Sequence, residues 1–233
     1  MKISFNFVLQ SAFNMTTENS QHLEAIQDIR KMMRKSTRFL SLSGLSGVFA
    51  GIYALMGAAA VQYYFHFVRT CKDVELVNDL IRHITRNFIF ISAGVLFLSI
   101  VTAYYLSNKK AKKQGQTLFD HTALRALVNL CIPLGAGGIF CMAMIYNHSV
   151  IYIAPTMLLF YGMALLNASK YTYDDIRYFG ICEIVLGLLN AFNLNYGLHF
   201  WTIGFGFLHI VYGATMWFRY DRKDRKEEGE SRE

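Results

Sequence analysis

Residues 177–218 have the sequence RYFGICEIVLGLLNAFNLNYGLHFWTIGFGFLHIVYGATMWF. This stretch contains two apolar runs, residues 178–192 and residues 200–218, joined by a short linker. At about 1.5 Å of rise per helical residue, the second run is roughly 27 Å long, close to the thickness of a bilayer's hydrocarbon core. Each run carries one ionisable side chain, Glu183 in the first and His209 in the second. The stretch therefore predicts two membrane helices with a polar group inside each.

Long apolar runs of this kind recur through the chain. Of its 233 residues, 54% are hydrophobic and 15% are aromatic, and a soluble domain rarely needs so many long apolar runs. The sequence predicts an all-α, polytopic membrane protein with a six-helix transmembrane bundle over residues 39–218. The six predicted spans are residues 39–65, 88–106, 123–145, 150–166, 178–192 and 200–218.

The segments outside the spans are polar or charged. Residues 1–18 are predicted to be a disordered leader, and the chain could begin at its first residue or at Met15. Residues 19–38 have apolar side chains at helical spacing and a basic second half, which predicts a basic amphipathic helix. Residues 66–86 are predicted to be a loop that holds a short surface helix. Residues 219–233 are predicted to be a charged, solvated cytoplasmic tail with a frayed helix end.

The positive charges are distributed unevenly between the two sides of the predicted bundle. Of the 23 Lys and Arg residues, 19 lie on one side, and the other 4 all lie in residues 66–86. By the positive-inside rule, both termini are predicted to be cytoplasmic, with the cytoplasmic (inner) membrane as the location. The net charge of +7 beside membrane spans favours anionic lipid head groups as partners over nucleic acid. A homo-oligomer or a membrane partner remains possible at this point.

Glu183 and His209 are the predicted ligand-binding pair. By helical rise, Glu183 lies about 9 Å and His209 about 13 Å from the predicted cytoplasmic surface, so adjacent antiparallel helices place them at similar depth. An ionisable group at such depth is costly unless it is paired or hydrated, and it is therefore a candidate functional group. The two faces predicted to meet consist of Gly180, Glu183, Gly187 and Asn190 in one helix and Thr202, Gly206, His209 and Gly213 in the other. The alternative is a hydrogen bond between the two side chains that only locks the hairpin.

Other polar side chains in the spans are candidates for the same site. Asn129, Tyr161 and Tyr212 fall at similar depths and are predicted to complete a polar pocket, and Asn190 lies deeper. Ordinary interhelical hydrogen bonds are the alternative for all four. One buried histidine and one buried acid are too few for a zinc site, and the four cysteines lack metal-ligand spacing. No metal and no cofactor are therefore expected.

The bundle shows signs of an internal repeat. An arginine followed by a glycine at the start of odd helices, and a Tyr-Gly pair in even ones, suggest parallel hairpins of one ancestral kind. The shared positions are Arg125 and Gly135, Arg177 and Gly187, Arg38 and Gly47, Tyr161-Gly162, and Tyr212-Gly213. Chance is the alternative, because both features are common in membrane helices.

A short motif in the first span resembles a known family. The sequence Gly44-Leu45-Ser46-Gly47 resembles the GxSG motif of rhomboid intramembrane proteases. This resemblance implies that Ser46 is a nucleophile and His209 its base. The motif lies in the first helix, whereas the family places it after several others, and the family's upstream His and Asn elements are missing.

The function predicted from these features is non-enzymatic: the bundle binds or moves a small polar solute or ion near Glu183 and His209. One alternative is a membrane sensor or accessory subunit that uses residues 19–38 to reach a cytoplasmic partner. A lipid-acting membrane enzyme with Glu183 and His209 as acid and base is a further alternative, weakened by the absence of a nucleophile or metal cluster.

Overall fold

A computed structural model describes residues 42–71, 74–113 and 120–222, and within them all regular secondary structure is helical. The predicted leader, the predicted basic helix and most of the charged tail lie outside the described residues. The helices are α1 (Gly44–Thr70), α2 (Val74–Lys113), α3 (His121–Tyr146), α4 (Ile153–Ala168), α5 (Asp175–Phe192) and α6 (residues 197–221). The predicted all-α class is thus confirmed over these residues.

Four helical segments are long and apolar enough to cross a membrane. They are Gly44–Thr70, Arg86–Lys113, His121–Tyr146 and Val150–Tyr171. The 18-residue α5 and the helix α6 are not among them. Large apolar side chains along α2 and α3 are exposed, as expected of surfaces that face lipid. Integral membrane placement follows from these four segments.

The loop predicted at residues 66–86 is wrong. Helix α1 continues to Thr70, and α2 begins at Val74 and runs without interruption for 40 residues. The predicted surface helix is therefore the first part of α2. No Gly or Pro lies in α2 before Gly94, so nothing in the backbone ends a helix there. The Tyr64 hydroxyl of α1 donates a hydrogen bond to the Leu80 carbonyl of α2 at 2.7 Å and joins the two helices.

The two prolines occupy different helical positions. Pro133 lies inside α3, where it removes a backbone hydrogen bond. Pro155 lies in the first turn of α4, where its missing N–H needs no partner, so it starts a helix rather than interrupting one. Between α3 and α4, His148 adopts a φ of 56° and ends α3 with a left-handed residue.

The helices form two layers that share α6. In one layer α1 packs between α2 and α6, and in the other α4 packs between α3 and α5. Helix α6 also touches α4 and α5, so α4, α5 and α6 enclose the interior near Glu183. Close helix contact depends on small residues: a Cβ on Gly213 would clash with the Val48 amide and Gly44 carbonyl of α1.

A set of polar contacts, here called the basic-end network, ties the helix ends together where the predicted cytoplasmic side lies. Lys110 Nζ lies 2.6 Å from Asp221 Oδ1, and the two side chains are only 12% and 10% exposed. Asp221 Oδ2 accepts hydrogen bonds from the Gly44 amide at 3.0 Å and the Ser43 hydroxyl at 3.3 Å. Lys110 also donates to the Tyr173 hydroxyl at 3.2 Å. This part of the network joins α1, α2 and α6.

Helix α5 belongs to the same network. Arg219 Nη1 lies 2.7 Å from Asp175 Oδ1, and the Tyr220 hydroxyl donates to Asp175 Oδ2 at 2.8 Å. Residues 219–221 are thus the bonded end of α6. The prediction of a frayed, solvated end at this point is wrong, because two carboxylates and two cations pair there; the rest of the tail lies outside the described residues.

Candidate functional site

Glu183 is the centre of the candidate site. It lies on a face of α5 on which Gly180, Gly187 and Asn190 are also buried, as predicted. Its side chain is 0% exposed, and neither carboxylate oxygen has a hydrogen-bond partner in the part of the chain that the structure describes. Oε1 lies 3.9 Å from His209 Nδ1, which is close but too long for a hydrogen bond. The predicted proximity of Glu183 and His209 is thus confirmed.

Both ring nitrogens of His209 are engaged elsewhere. Nδ1 lies 3.1 Å from the Gly204 carbonyl, and Nε2 lies 2.8 Å from the Tyr161 hydroxyl. A carbonyl oxygen only accepts, so Nδ1 carries a hydrogen. In the neutral ring Nε2 then accepts from the Tyr161 O–H. The geometry therefore assigns His209 a tautomer in which its N–H points to Gly204 and not to Glu183.

Aromatic rings surround the imidazole. The Tyr161 ring stacks on it at 5.3 Å between centroids, and Phe205 stacks at 5.8 Å. Phe179 meets it edge-on at 4.8 Å. These rings come from α4, α5 and α6 and exclude bulk water from His209, which is 8% exposed. Electrostatic interactions inside such an enclosure are stronger than in water.

Gly204 is a site residue that the sequence analysis missed. A Cβ on Gly204 would lie 2.5 Å from Glu183 Oε2 and 2.5 Å from Leu158 Cδ2, so only glycine allows the carboxylate to sit there. Gly204 belongs to a π-helical segment, Thr202–Leu208, that directly precedes His209. Segments of this type are rare and frequently occur at functional sites. Nothing in the sequence distinguishes Gly204 from its neighbour Gly206.

The predicted face of α6 is only partly correct. The His209 ring lies beside Glu183, but Gly206 and Gly213 pack against Leu55 and Val48 of α1. The π segment widens the helix before His209 and so changes the angular position of Gly206 relative to His209. Gly213 follows His209 in regular α-helix, and its own contact is with α1. Gly206 and Gly213 therefore serve the α1 interface rather than the site.

The other predicted site residues differ in their placement. Tyr161 belongs to the site through His209. The Tyr212 ring stacks on Phe179 at 4.7 Å, and its hydroxyl is buried with no partner among the described residues. Asn190 is 0% exposed; its amide donates to the Asn193 carbonyl at 3.2 Å, and its Oδ1 has no partner there either.

Asn129 is not brought to the site. Its amide donates to the Arg125 carbonyl of its own helix at 2.8 Å. Its backbone carbonyl accepts from Asn167 of α4 at 2.9 Å. The first contact lies within α3, and the second joins α3 to α4 only through the Asn129 backbone. The side chain therefore forms neither the predicted pocket nor the interhelical hydrogen bond that was its alternative.

Buried polar side-chain atoms without partners fall in one stretch of the described sequence. Within residues 42–71, 74–113 and 120–222, every such side-chain atom lies between residues 172 and 217. These atoms are Thr172 Oγ1, both Glu183 oxygens, Asn190 Oδ1, the Tyr212 hydroxyl and Trp217 Nε1. Folded proteins pair nearly all buried polar atoms, so the two unpaired oxygens of Glu183 indicate a place that a ligand or water can complete.

The implied serine–histidine pairing of the rhomboid resemblance is not formed. The Ser46 hydroxyl donates to the Ser43 carbonyl at 2.5 Å, within the first turn of α1. His209 is bonded to Tyr161 and Gly204. Ser46 is therefore a helix-start residue in this fold, and its hydroxyl is not hydrogen-bonded to a base among the described residues.

The glycines of the possible repeat have unequal environments. Gly162 and Gly213 both lie against a neighbouring helix backbone, at the Gly180 and Gly44 carbonyls respectively. Gly187 contacts Leu159, whereas a Cβ on Gly135 would meet open space. The even-helix pair is thus alike and the odd-helix pair is not, and the repeat stays a prediction.

A groove of about 280 Å³ lies elsewhere, between α1 and α2. It is lined by Tyr53, Met56, Gly57, Phe90, Ile91, Gly94, Val95 and Leu98. None of these is a predicted site residue. The lining of the groove is mostly apolar.

No group of three or more His, Cys, Asp or Glu side chains that could hold a metal ion occurs among the described residues. Comparison with protein-family models, with curated proteins and with solved structures finds no match for this chain.

Proposed function

We propose that this chain is an integral membrane protein of six spanning helices that binds or moves a small polar solute or ion at Glu183 and His209. Both termini face the cytoplasm in this proposal, the inner membrane is its location, and anionic lipid head groups contact the basic end. The single observation that carries the proposal is the fully buried Glu183 carboxyl, whose two oxygens lack hydrogen-bond partners among the described residues.

The geometry favours a binding site over a structural lock. A lock requires a hydrogen bond between Glu183 and His209, and their nearest N and O atoms are 3.9 Å apart. His209 already uses its Nδ1 on Gly204 and its Nε2 on Tyr161. An unpaired buried carboxyl costs free energy, and proteins keep such a cost mainly where a function requires it.

The surroundings of Glu183 restrict the size of the ligand. Gly204 and Leu158 lie directly against the carboxylate, and the rings of Tyr161, Phe179 and Phe205 enclose the adjacent imidazole. A large organic substrate would require these helices to separate. A smaller solute or an ion requires less separation of these helices.

The alternative functions have less support. The sensor hypothesis depends on residues 19–38, which lie outside the described residues. The enzyme hypothesis needs a nucleophile beside the Glu183–His209 pair, and Ser46 is bonded to its own helix start.

Ligand-dependent thermal stability tests the proposal. Full-length protein in native-like lipid would be titrated with a panel of alkali cations, ammonium, small amino acids and buffers of different pH. A ligand at 100 times its dissociation constant raises the stability by about 2.7 kcal/mol. We expect stabilisation by at least one member of the panel, its loss in Glu183→Gln, and its retention in the control Glu75→Gln, since Glu75 is exposed at the start of α2. Equal stabilisation of wild type and Glu183→Gln by every member would refute the proposal.

A further inference from the structure

We propose that the ion of this site is the proton, which Glu183 takes up and releases through His209 and Tyr161. This inference rests on the proposed function and names its ligand. It starts from a continuous set of titratable groups: Glu183 on α5, His209 on α6 and Tyr161 on α4. The atoms involved are 3.9 Å apart at the Glu183–His209 step and 2.8 Å apart at the His209–Tyr161 step.

The limited space around the Glu183 carboxyl favours a proton over a larger ion. One Glu183 oxygen already lies 2.5 Å from the position of a Cβ on Gly204, and Leu158, itself 0% exposed, closes the same side. A metal or ammonium ion needs several oxygen ligands around it. The groups shown next to the carboxyl are Gly204, whose Cβ position one carboxyl oxygen occupies, and the His209 ring, both of whose nitrogens are already bonded. A proton needs no coordination shell and fits this arrangement.

The order of donors and acceptors along Tyr161, His209 and Glu183 permits proton transfer. A hydronium ion in the adjoining water gives a proton to the Tyr161 hydroxyl oxygen and leaves as water, as that hydroxyl passes its own proton to His209 Nε2. The imidazolium then gives its Nδ1 proton to Glu183 Oε1. Each O–H or N–H bond that breaks is matched by one that forms. The net change is a carboxylate and a hydronium ion becoming a carboxyl and a water molecule, with the His209 hydrogen moved from Nδ1 to Nε2. Release along the same bonds in reverse restores the tautomer that the structure shows.

The helix that carries His209 offers a way to shorten the 3.9 Å distance between Glu183 Oε1 and His209 Nδ1. Proton transfer needs heavy atoms about 2.6–3.2 Å apart, so Glu183 and His209 must approach by about 1 Å. The π segment Thr202–Leu208 precedes His209 and supplies its Nδ1 acceptor, the Gly204 carbonyl. A change of this segment toward regular α-helix would turn His209 away from Gly204. The donor at Nδ1 is then available to Glu183.

Two further buried polar atoms lie on the helices that carry the site. The Tyr212 hydroxyl lies toward the basic end and Asn190 Oδ1 toward the opposite end, and both are buried without partners among the described residues. The titratable groups that face the site from the packed helices are His209 and Tyr212 of α6 and Tyr161 of α4; Asp175 lies further along α5 and is bonded to Arg219 and Tyr220. No other described charged side chain contacts Glu183.

Infrared difference spectroscopy on the full-length protein in lipid tests this inference. We expect a protonated-carboxyl C=O band that changes with pH, shifts in D₂O and is missing in Glu183→Gln. Tyr161→Phe keeps the ring and removes the hydroxyl, so it should slow deuterium exchange of that band by about a hundredfold. Glu75→Gln should leave the band and its exchange rate unchanged.

The outcomes separate the two proposals. A band that is the same in wild type and Glu183→Gln, or that exchanges equally fast in Tyr161→Phe, overturns the proton inference. If sodium or an organic solute gives Glu183-dependent thermal stabilisation while the band does not respond to pH, the proposed function stands and the proton is the wrong ligand. If Glu183→Gln fails to fold, the exchange rate in Tyr161→Phe decides the inference.

Discussion

Two regions of this molecule bury a carboxylate, and they treat it in opposite ways. Asp221 in the basic-end network meets Lys110, the Gly44 amide and the Ser43 hydroxyl within 3.3 Å. Glu183, deeper in the bundle, meets no hydrogen-bond donor among the described residues. Asp221 is 10% exposed on its side chain and Glu183 is 0% exposed, so the group with the larger desolvation cost has fewer compensating contacts.

The difference distinguishes Asp221, a buried carboxylate that stabilises the fold, from Glu183, a buried carboxyl for which a function is proposed. A carboxylate with its donors in place holds helices together, and breaking its pair leaves an unpaired charge. A carboxyl without donors holds nothing together, so its presence needs another reason. The basic-end network therefore joins α1, α2, α5 and α6, while Glu183 is the group for which we propose a ligand.

The largest expected effect comes from breaking the satisfied pair. Lys110→Met removes the cation from Asp221 and should lower the free energy of unfolding by about 3 kcal/mol, because both side chains are nearly buried. Glu183→Gln should cost about 1 kcal/mol or less, since no hydrogen bond to the carboxyl is lost. Denaturant unfolding of both variants in the same detergent measures the contrast. A larger loss for Glu183→Gln than for Lys110→Met would reverse the assignment of the two regions.

A smaller effect is expected at the helix contact between these regions. Gly213→Ala places a Cβ against the Val48 amide and the Gly44 carbonyl, and these backbone atoms cannot move without separating α1 from α6. We expect a loss of about 2 kcal/mol. Gly94→Ala is the matched control, because its Cβ meets open space, and a gain of about 0.5 kcal/mol is expected there. Thermal midpoints of the two variants that do not differ would contradict the close α1–α6 contact.

The smallest effect is a pH dependence at the basic end. Burial, and then the hydrogen bond to Asp175, raise the pKa of Tyr220, which lies beyond the predicted sixth span. A raised pKa means that the fold favours the neutral phenol, so this stabilisation is complete below the unfolded pKa of about 10 and is lost as pH rises through the higher folded value. Tyr220→Phe should therefore flatten the fall of the thermal midpoint at alkaline pH. The exposed Tyr146→Phe should leave that fall as in wild type; the same slope in wild type and Tyr220→Phe would rule the effect out.

Local pattern was enough to predict much of the site. The spacing of Gly180, Glu183, Gly187 and Asn190 predicts a buried face on α5, and all four are buried. Depth counted along regular helices brings Glu183 near His209. These inferences hold because an α-helix repeats its geometry from residue to residue.

The inferences failed where the backbone departs from that repeat or where partners are distant in sequence. The π segment moves Gly204 to Glu183 and sends Gly206 to α1, and no residue type announces such a segment. The prediction of a solvated end of α6 failed because the partner of Asp221 is Lys110, which is 111 residues away in sequence. Asn129 was placed in the pocket on depth alone, although depth does not say which way a side chain faces.

The amino-acid sequence by itself determined that the chain is helical and apolar, and where its one deep acid and deep histidine lie, because hydrophobicity and helical period are properties of neighbouring residues. Only the tertiary structure decided that Asp221 is satisfied and Glu183 is not. Hydrogen bonding between helices depends on which faces meet and at what distance, and small differences in packing, such as a glycine at 204, set those distances.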